Sequence, residues 1–389
     1  MRYTILLVLT TLFFGCDSKQ ESKDYGELPK AAVNITDTLE VDYQGNLKIA
    51  DFHRKVELFI AVDYARNKEV ILIFDRNGDI KSTFDNRIAG ENSVSGKINA
   101  VGFNEAENGY IIISEGGVYY FDSNWTIYRH IPNPKKGIYT RYNPGNSFFE
   151  FKNGETNYIV TQLLAPPTGY TIEEEEYYDN VKLLTIINTN DSTYKLDVGF
   201  HEKSNYRTES KLYTPFLSYY DYLENENRLV TTYRNDKNLY YYSMDSDGEL
   251  QYDKSYSFEF DYYSIKSNFS YGDNFENIKT IFDSRIESLI CFQDRLFISY
   301  TKAVDNTEFA HDPSLYYDSG YLMDYIIQNY QHCLHVIDEG KKTYQDIILP
   351  DMLVAPGAIL EKDELIFHLS KSKYEFNNEV FLIGKINIL

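Results

Sequence analysis

The sequence predicts an all-β fold, a six-bladed β-propeller of four-stranded antiparallel blades, and three observations carry that reading. Helix-like periodicity is scarce beyond the N-terminal segment. Short apolar runs recur, separated by Gly, Asn and Asp turns, and they group into units about 35 to 70 residues apart. Units of four antiparallel strands repeated radially make propellers.

The first unit, Val56 to Phe84, reads as strand, turn at "ARNK", strand at Glu69 to Asp75, turn at "DRNG", and strand at Ile80 to Phe84. Asn77-Gly78 is a hairpin signal, because both residues tolerate positive φ. The second, Ile98 to Ile131, gives four strands. The third is "SFFEFKNGETNYIVTQL", then an insert, then "VKLLTIINTNDSTYKLDVG". The fourth runs from Phe216 through "RLVTTYRNDKNLYYYSMDSDGELQYDKSYSFEF". The fifth, "IESLICFQDRLFISYTKAV", is interrupted and resumes as "HCLHVIDEGKKTYQDIILP". The sixth, "GAILEKDELIFHLSKSKYEFNNEVFLIGKINIL", is one strand short, so Asp37 to Ile49 is expected to close the last blade as its outer strand. Five or seven blades stay open because the third and fifth copies are diffuse; a pair of β-sandwiches is the structural alternative.

Of the 389 residues, 59 are acidic and 38 basic, a formal charge of -21 without any long basic run. Nucleic-acid binding, which draws on phosphate neutralisation, is not expected. The 37 tyrosines are spread through every segment and suit half-buried strand faces as well as contact surfaces.

Arg2 precedes an apolar segment, Tyr3 to Phe14, broken only by threonines and ending in Gly15-Cys16. It is too short to span a bilayer comfortably but fits the core of a signal peptide. Gly15-Cys16 resembles the bacterial lipoprotein processing site, which implies that Cys16 receives diacylglycerol; Phe13 and Phe14 depart from its commonest aliphatic form. The expected organisation is therefore a signal peptide at 1–15, a flexible polar tether at 16–35, and the propeller at 36–389 with inserts near 163–180 and 304–331. The expected address is the cell envelope, lipid-anchored at the outer membrane and facing the periplasm, with the cell surface as the alternative.

Together with this start, the units ending "ILIFDRNGDI", "VYYFDSN" and "YYYSMDSDGEL" and the closing "EVFLIGKINI" resemble the six-bladed, TolB-like β-propeller lipoproteins of the Bacteroidetes. Most members of that group have no assigned activity. The resemblance implies a fold and an address, and places no catalytic residue.

Chemistry-bearing patterns are sparse. Asp75, Asp122 and Asp245 each end a strand before a turn, where an aspartate caps its own backbone. "DSDG" at Asp245 lacks the remaining ligands of a calcium loop. The seven histidines form no HExxH; in "QHCLHVI" strand alternation puts Cys333 and His335 on one face and His332 on the other. Metal and cofactor are not expected. Cys291 and Cys333, read on the first and third strands of one unit, stand roughly 9 to 10 Å apart, too far for a disulfide. No nucleophilic-serine motif occurs, so no catalytic residue is assigned and enzymatic activity is not the leading expectation.

Inserted loops over a rigid frame concentrate function. Leu163 to Asn180 and Val304 to Gln331, the latter with helical periodicity from Tyr316 to Tyr330, therefore supply the candidate binding residues Tyr170, Tyr177, His311, Tyr316 and Tyr321. The leading expectation is a monomeric binding or scaffold propeller with an envelope protein or peptide as partner. The alternatives are an envelope hydrolase or lyase with carboxylates at the central channel, and a sensor for a small ligand such as a sugar.

Overall fold

The computed structural model describes residues 30–388 apart from 66–68, 105–106, 135–147, 163–168, 172–173, 209–217, 224, 246–247, 258, 265–281, 294, 339–341, 344–345 and 370–377. Six antiparallel sheets, five of them built from consecutive strands, form a six-bladed β-propeller. Their inner strands are Leu47–His53, Ile98–Asn104, Phe148–Asn153, Ser218–Leu223, Arg285–Phe292 and Leu353–Glu361. We number the blades 1 to 6 in that order. In blade 5 the outer strand is two short pieces, Lys342–Thr343 and Ile347–Ile348, both paired with His332–Asp338.

Blade 6 takes its outer strand from the start of the chain: Ala31–Val41 pairs antiparallel with Glu379–Ile388. The expected outer strand Asp37 to Ile49 is thus divided, and the structure corrects its bounds. Leu47–His53 is instead the inner strand of blade 1. The break lies at Asp42–Asn46, where Tyr43 Oη donates to Asp63 Oδ2 at 2.6 Å and Asn46 N donates to Asp63 Oδ1 at 3.2 Å. A Cβ on Gly45 would meet both Tyr43 and Asp63, so the chain can turn sharply only with glycine there. The outer strand also begins at Ala31, inside the segment read as tether, because Ala31 and Val33 pack on the core between blades 5 and 6.

The core is a ring of interblade clusters. Alternate residues of one strand face opposite neighbours, so Ile60, Val62, Ile71 and Ile73 pack toward blade 2 while Phe59, Ala61, Leu72 and Phe74 pack toward blade 6. The turn aspartates cap as their position implies: Asp75 Oδ1 accepts from Asn77 N and Asp79 N, Asp122 Oδ1 from Asn124 N and Thr126 N, and Asp245 Oδ1 from Glu249 N. Cys291 and Cys333 are free thiols separated by the strand Arg295–Thr301.

Polar side chains buried between blades act as staples. Arg295 of blade 5, almost fully buried, pairs with Asp338 of its own blade and with Asp363 in a turn of blade 6. Asp346 accepts from Tyr300 Oη and from Asp261 N (2.6 Å), lies 2.5 Å from His335 Nδ1, and its own N–H donates to Asp261 Oδ2 at 3.0 Å. That network fastens the blade 4 to blade 5 connection against the outer part of blade 5. Cys333 and His335 do share a face there, whereas His332 borders the central cavity. No helix among the described residues is long and apolar enough to cross a membrane.

Candidate functional site

An inner strand has no neighbour on its inward edge, so a propeller leaves a central space walled by strand edges and flanking side chains. Here that space is a cavity of about 1090 Å³ walled by residues of all six inner strands. Two carboxylates regularise the wall. Asp51 of blade 1 accepts from Phe52 N through one oxygen (2.7 Å) and from Phe103 N of blade 2 through the other (2.9 Å). Asp221 of blade 4 does the same with Tyr222 N (2.8 Å) and Cys291 N of blade 5 (2.6 Å). Each satisfies an inward-facing N–H of the next blade that the sheet cannot pair.

The cavity wall mixes charges of both signs, with Lys48, Arg54, Asp51, Glu150, Asp221, Glu287, Glu361 and Glu379 all bordering it. Lys48, Glu287 and His332 stand where the inner strands begin, and Arg285, which does not line the cavity, pairs with Glu287. Arg285 Nε donates to Glu287 Oε1 at 2.9 Å, and its guanidinium lies 4.5 Å from the ring centroid of Tyr330. Burial alone would raise Glu287, but Arg285, His332 and Arg234 outweigh it and hold its carboxyl below the usual range. Burial draws the Lys48 ammonium below the usual lysine range, with Glu287 acting in the opposite sense. Lys48 Nζ rests 4.8 Å from the ring centroid of Tyr64 and, among the described residues, donates to no carboxylate or carbonyl.

Glu150 of blade 3 is exposed to solvent within the cavity; partial desolvation by the surrounding wall first, then the carboxylates of Glu107 and Asp51, push its carboxyl up to about 7. Its side chain meets no hydrogen-bond donor or cation among the described residues.

Both inserts connect the second strand of a blade to the third, in blades 3 and 5. In an antiparallel blade that connection lies on the face where the inner strand begins, so both inserts decorate the Lys48 end. The first carries the helix Glu175–Asn180; Leu163 to Thr168, including Pro166-Pro167, lie outside the described residues. The second folds into helices Thr307–His311 and Ser319–Asn329 around a 3₁₀ turn, Pro313–Tyr317, over its own core of Phe282, Val304, Phe309, Leu322 and Ile326. Its helical periodicity thus resolves into a turn and a helix, with Asp318 capping the helix through Tyr321 N at 3.0 Å.

Of the residues singled out in the inserts, Tyr170 is exposed and Tyr177 is buried in the core between blades 3 and 4. His311 is exposed at a helix end. Tyr321 is part-exposed, its Oη donating to Glu308 Oε1 at 2.5 Å. Tyr316 belongs to the 3₁₀ turn, and its side chain lies outside the described residues. None of the four with described side chains walls the cavity. The wall charges were missed in the sequence, yet they share a signal: one or two charged residues inside an otherwise apolar or aromatic strand, as in "LKIADF", "FFEF", "YYDY" and "RIESLI".

No protein family and no curated protein matches the chain. Solved structures do. A crystal structure of a member of the DUF4221 family from Bacteroides vulgatus is 13% identical with a TM-score of 0.66, covering 93% of this chain and 100% of that one. A luciferin-regenerating enzyme is 9% identical with a TM-score of 0.42, covering 91% of this chain and 97% of that one. The gluconolactonase XC5397 from Xanthomonas campestris is 8% identical with a TM-score of 0.46, covering 92% and 97% respectively. At these identities the first likeness bears on the fold alone, and the other two carry no argument.

Proposed function

We propose that this chain is an envelope-anchored binding propeller that takes its ligand into the central cavity, held at the membrane by a lipid on Cys16. One observation carries the reading: a cavity of about 1090 Å³ holds a lysine and a glutamate whose charged ends have no ion-pair partner among the described residues. Lys48 is half-buried and Glu150 exposed to solvent within the cavity, so both charged ends are open to a polar ligand that enters it. The rim tyrosines Tyr170 and Tyr321 then serve the approach to the cavity, and the inserts supply the surface for any envelope partner.

The test uses the full chain in detergent and a thermal-shift screen against pools of amino acids, short peptides, sugars and sugar acids. Ala355, in the cavity wall, is replaced by tryptophan as a plugged control. At a hundredfold excess over Kd a ligand adds about 2.7 kcal/mol, so a pool should raise the Tm of the wild type by several degrees and leave A355W unmoved. No shift from any pool, or equal shifts in both proteins, refutes the cavity as the site. Fractionation of wild type and C16S tests the anchor: C16S should leave the membrane fraction.

A second reading has one observation in its favour. A carboxyl near 7 beside a second carboxylate, Asp51, is the arrangement of a general acid. Turnover of any bound pool by the wild type and its loss in Glu150→Gln would replace binding by hydrolysis.

A further inference from the structure

The second insert, 304–331, leaves one helix face uncovered. Leu322 and Ile326 turn the helix Ser319–Asn329 onto the core of the insert, against Phe309. At roughly 100° per residue, Asp324 points directly away from that core, with Tyr321 and Met323 on either side of it. Met323 is 52% exposed and Tyr321 38%, and Tyr317, in the 3₁₀ turn just before the helix, is 83% exposed. Such side chains scattered singly need no explanation, but three within one short segment make a patch of the kind found at contact surfaces.

The charges around the patch narrow what covers it. Residues 304–331 include five carboxylates and neither Lys nor Arg; His311 is the one side chain there able to carry positive charge. All five, Asp305, Glu308, Asp312, Asp318 and Asp324, are exposed. Glu308 accepts from Tyr321 Oη at 2.5 Å and Asp318 from Tyr321 N at 3.0 Å, so two carboxylates hold that tyrosine in place. Lys302, just before the insert, has its Nζ over the ring of Tyr262, 5.3 Å from the centroid. Other connections on the same face carry bases as well as acids, among them Arg207, which pairs with Asp179 of the first insert at 2.6 Å. The excess of carboxylates therefore belongs to the second insert and not to the whole face.

A bilayer fits this surface poorly. Glu379–Ile388 starts on the insert face, and Ala31–Val41 runs antiparallel to it, so Ala31 enters the domain at the opposite face. A lipid on Cys16 would join the domain away from the insert, and anionic head groups repel exposed carboxylates.

We propose that the second insert docks a basic, arginine-bearing segment of a protein partner, its guanidinium groups on Tyr317, Tyr321 and Asp324 and its apolar side chains on Met323. This rests on the reading that the inserts face an envelope partner, and it names that partner's chemistry. An arginine meets both features at once, because its planar group stacks on an aromatic ring while donating to a carboxylate.

The experiment is fluorescence polarisation with the full chain in detergent at about 0.15 M NaCl, where exposed charges more than about 8 Å apart are largely screened. The probes are two fluorescein-labelled pools of short peptides, one drawn from Arg, Leu, Tyr and Gly, the other with Glu in place of Arg. The Arg pool should bind, and the Glu pool at least about tenfold more weakly. The triple variant Y317S/M323S/D324N, altered only at exposed positions, should weaken binding of the Arg pool at least about tenfold. E174Q/E175Q/E176Q takes more charge from the first insert and should change it less than about twofold; A355W should leave it unchanged. No binding of the Arg pool, or equal binding of the Glu pool, overturns the proposal on the wild type alone, with no variant required to fold. Equal losses in the two insert variants would show attraction to the acidic chain as a whole and overturn it as well. Binding lost in A355W would put the peptide in the cavity, which overturns the docking surface while supporting the cavity. The anchor and the cavity are decided separately, by C16S fractionation and by the thermal-shift screen.

Discussion

Replacing Asp346 with alanine should be among the most damaging single changes in the molecule. The carboxylate is shared by Tyr300 Oη, His335 Nδ1 and Asp261 N, and the Tyr300 and His335 side chains that face it are almost fully buried. Each hydrogen bond to a charged acceptor contributes about 1.5 to 3 kcal/mol. Their sum overstates the loss, because removing one member of a buried charged network costs about 3 to 5 kcal/mol once neighbours relax. We therefore expect D346A to lower stability by about 4 kcal/mol. Asp346→Asn, which keeps one acceptor oxygen and the same shape, should cost about half that. The assay is urea unfolding of the purified chain, followed by far-UV circular dichroism and by fluorescence of Trp125, the single tryptophan. A loss below about 1 kcal/mol for D346A would show that water or a rearranged side chain replaces the carboxylate, and that the network does not fasten blade 4 to blade 5.

Further expectations follow from other features. Arg295→Met strands Asp338, which is largely buried, and Asp363, which is half exposed, so urea unfolding should show a loss of about 3 kcal/mol. Glu150 has a folded-state pKa raised to about 7, whereas an unfolded glutamate titrates near about 4.3. The charged form is therefore disfavoured by folding, and the penalty is full above pH 7 and absent below the unfolded value. Glu150→Gln should raise Tm at pH 8, by an amount corresponding to about 1 kcal/mol after screening by channel water, and leave it unchanged at pH 4. Gly78 has φ +85°, and a Cβ there would sit 1.8 Å from Glu40 O, so Gly78→Ala should cost more than about 2 kcal/mol in the same unfolding assay. Peptide mapping without reductant should find no linked peptide containing Cys291 and Cys333.

How much of this was legible depends on whether a feature is local. Hairpins were, because two strands and their turn are contiguous in the chain: the Asn77-Gly78 turn and the capping aspartates stand where alternation and turn chemistry put them. The division of Asp37 to Ile49 was missed because a short polar stretch, "DYQGN", separates two strands of different blades, and only the distant Asp63 fixes the turn. In the second insert, helical spacing located the helix, but Asp318, which sets its first residue, was not used. The cavity was the least legible part. Lys48, Glu150 and Glu287 lie on three blades and meet only after the ring forms, so no window of sequence contains the site. Sorting Tyr177 from Tyr321 was equally out of reach, since both sit in polar loops and only packing buries one and leaves the other at the surface.

The pairing of Ala31–Val41 with Glu379–Ile388 sets an order of events. Among the described strands, the one made first acquires its partner only after the strands of blades 1 to 5 have been synthesised. Blades 1 to 5 use only neighbouring segments and can assemble as the chain emerges, while blade 6 waits with three strands and an open edge for the segment laid down at the beginning. A chain interrupted before residue 379 keeps five complete blades and a loose leading strand, and an exposed strand edge of that kind is what chaperones and proteases engage.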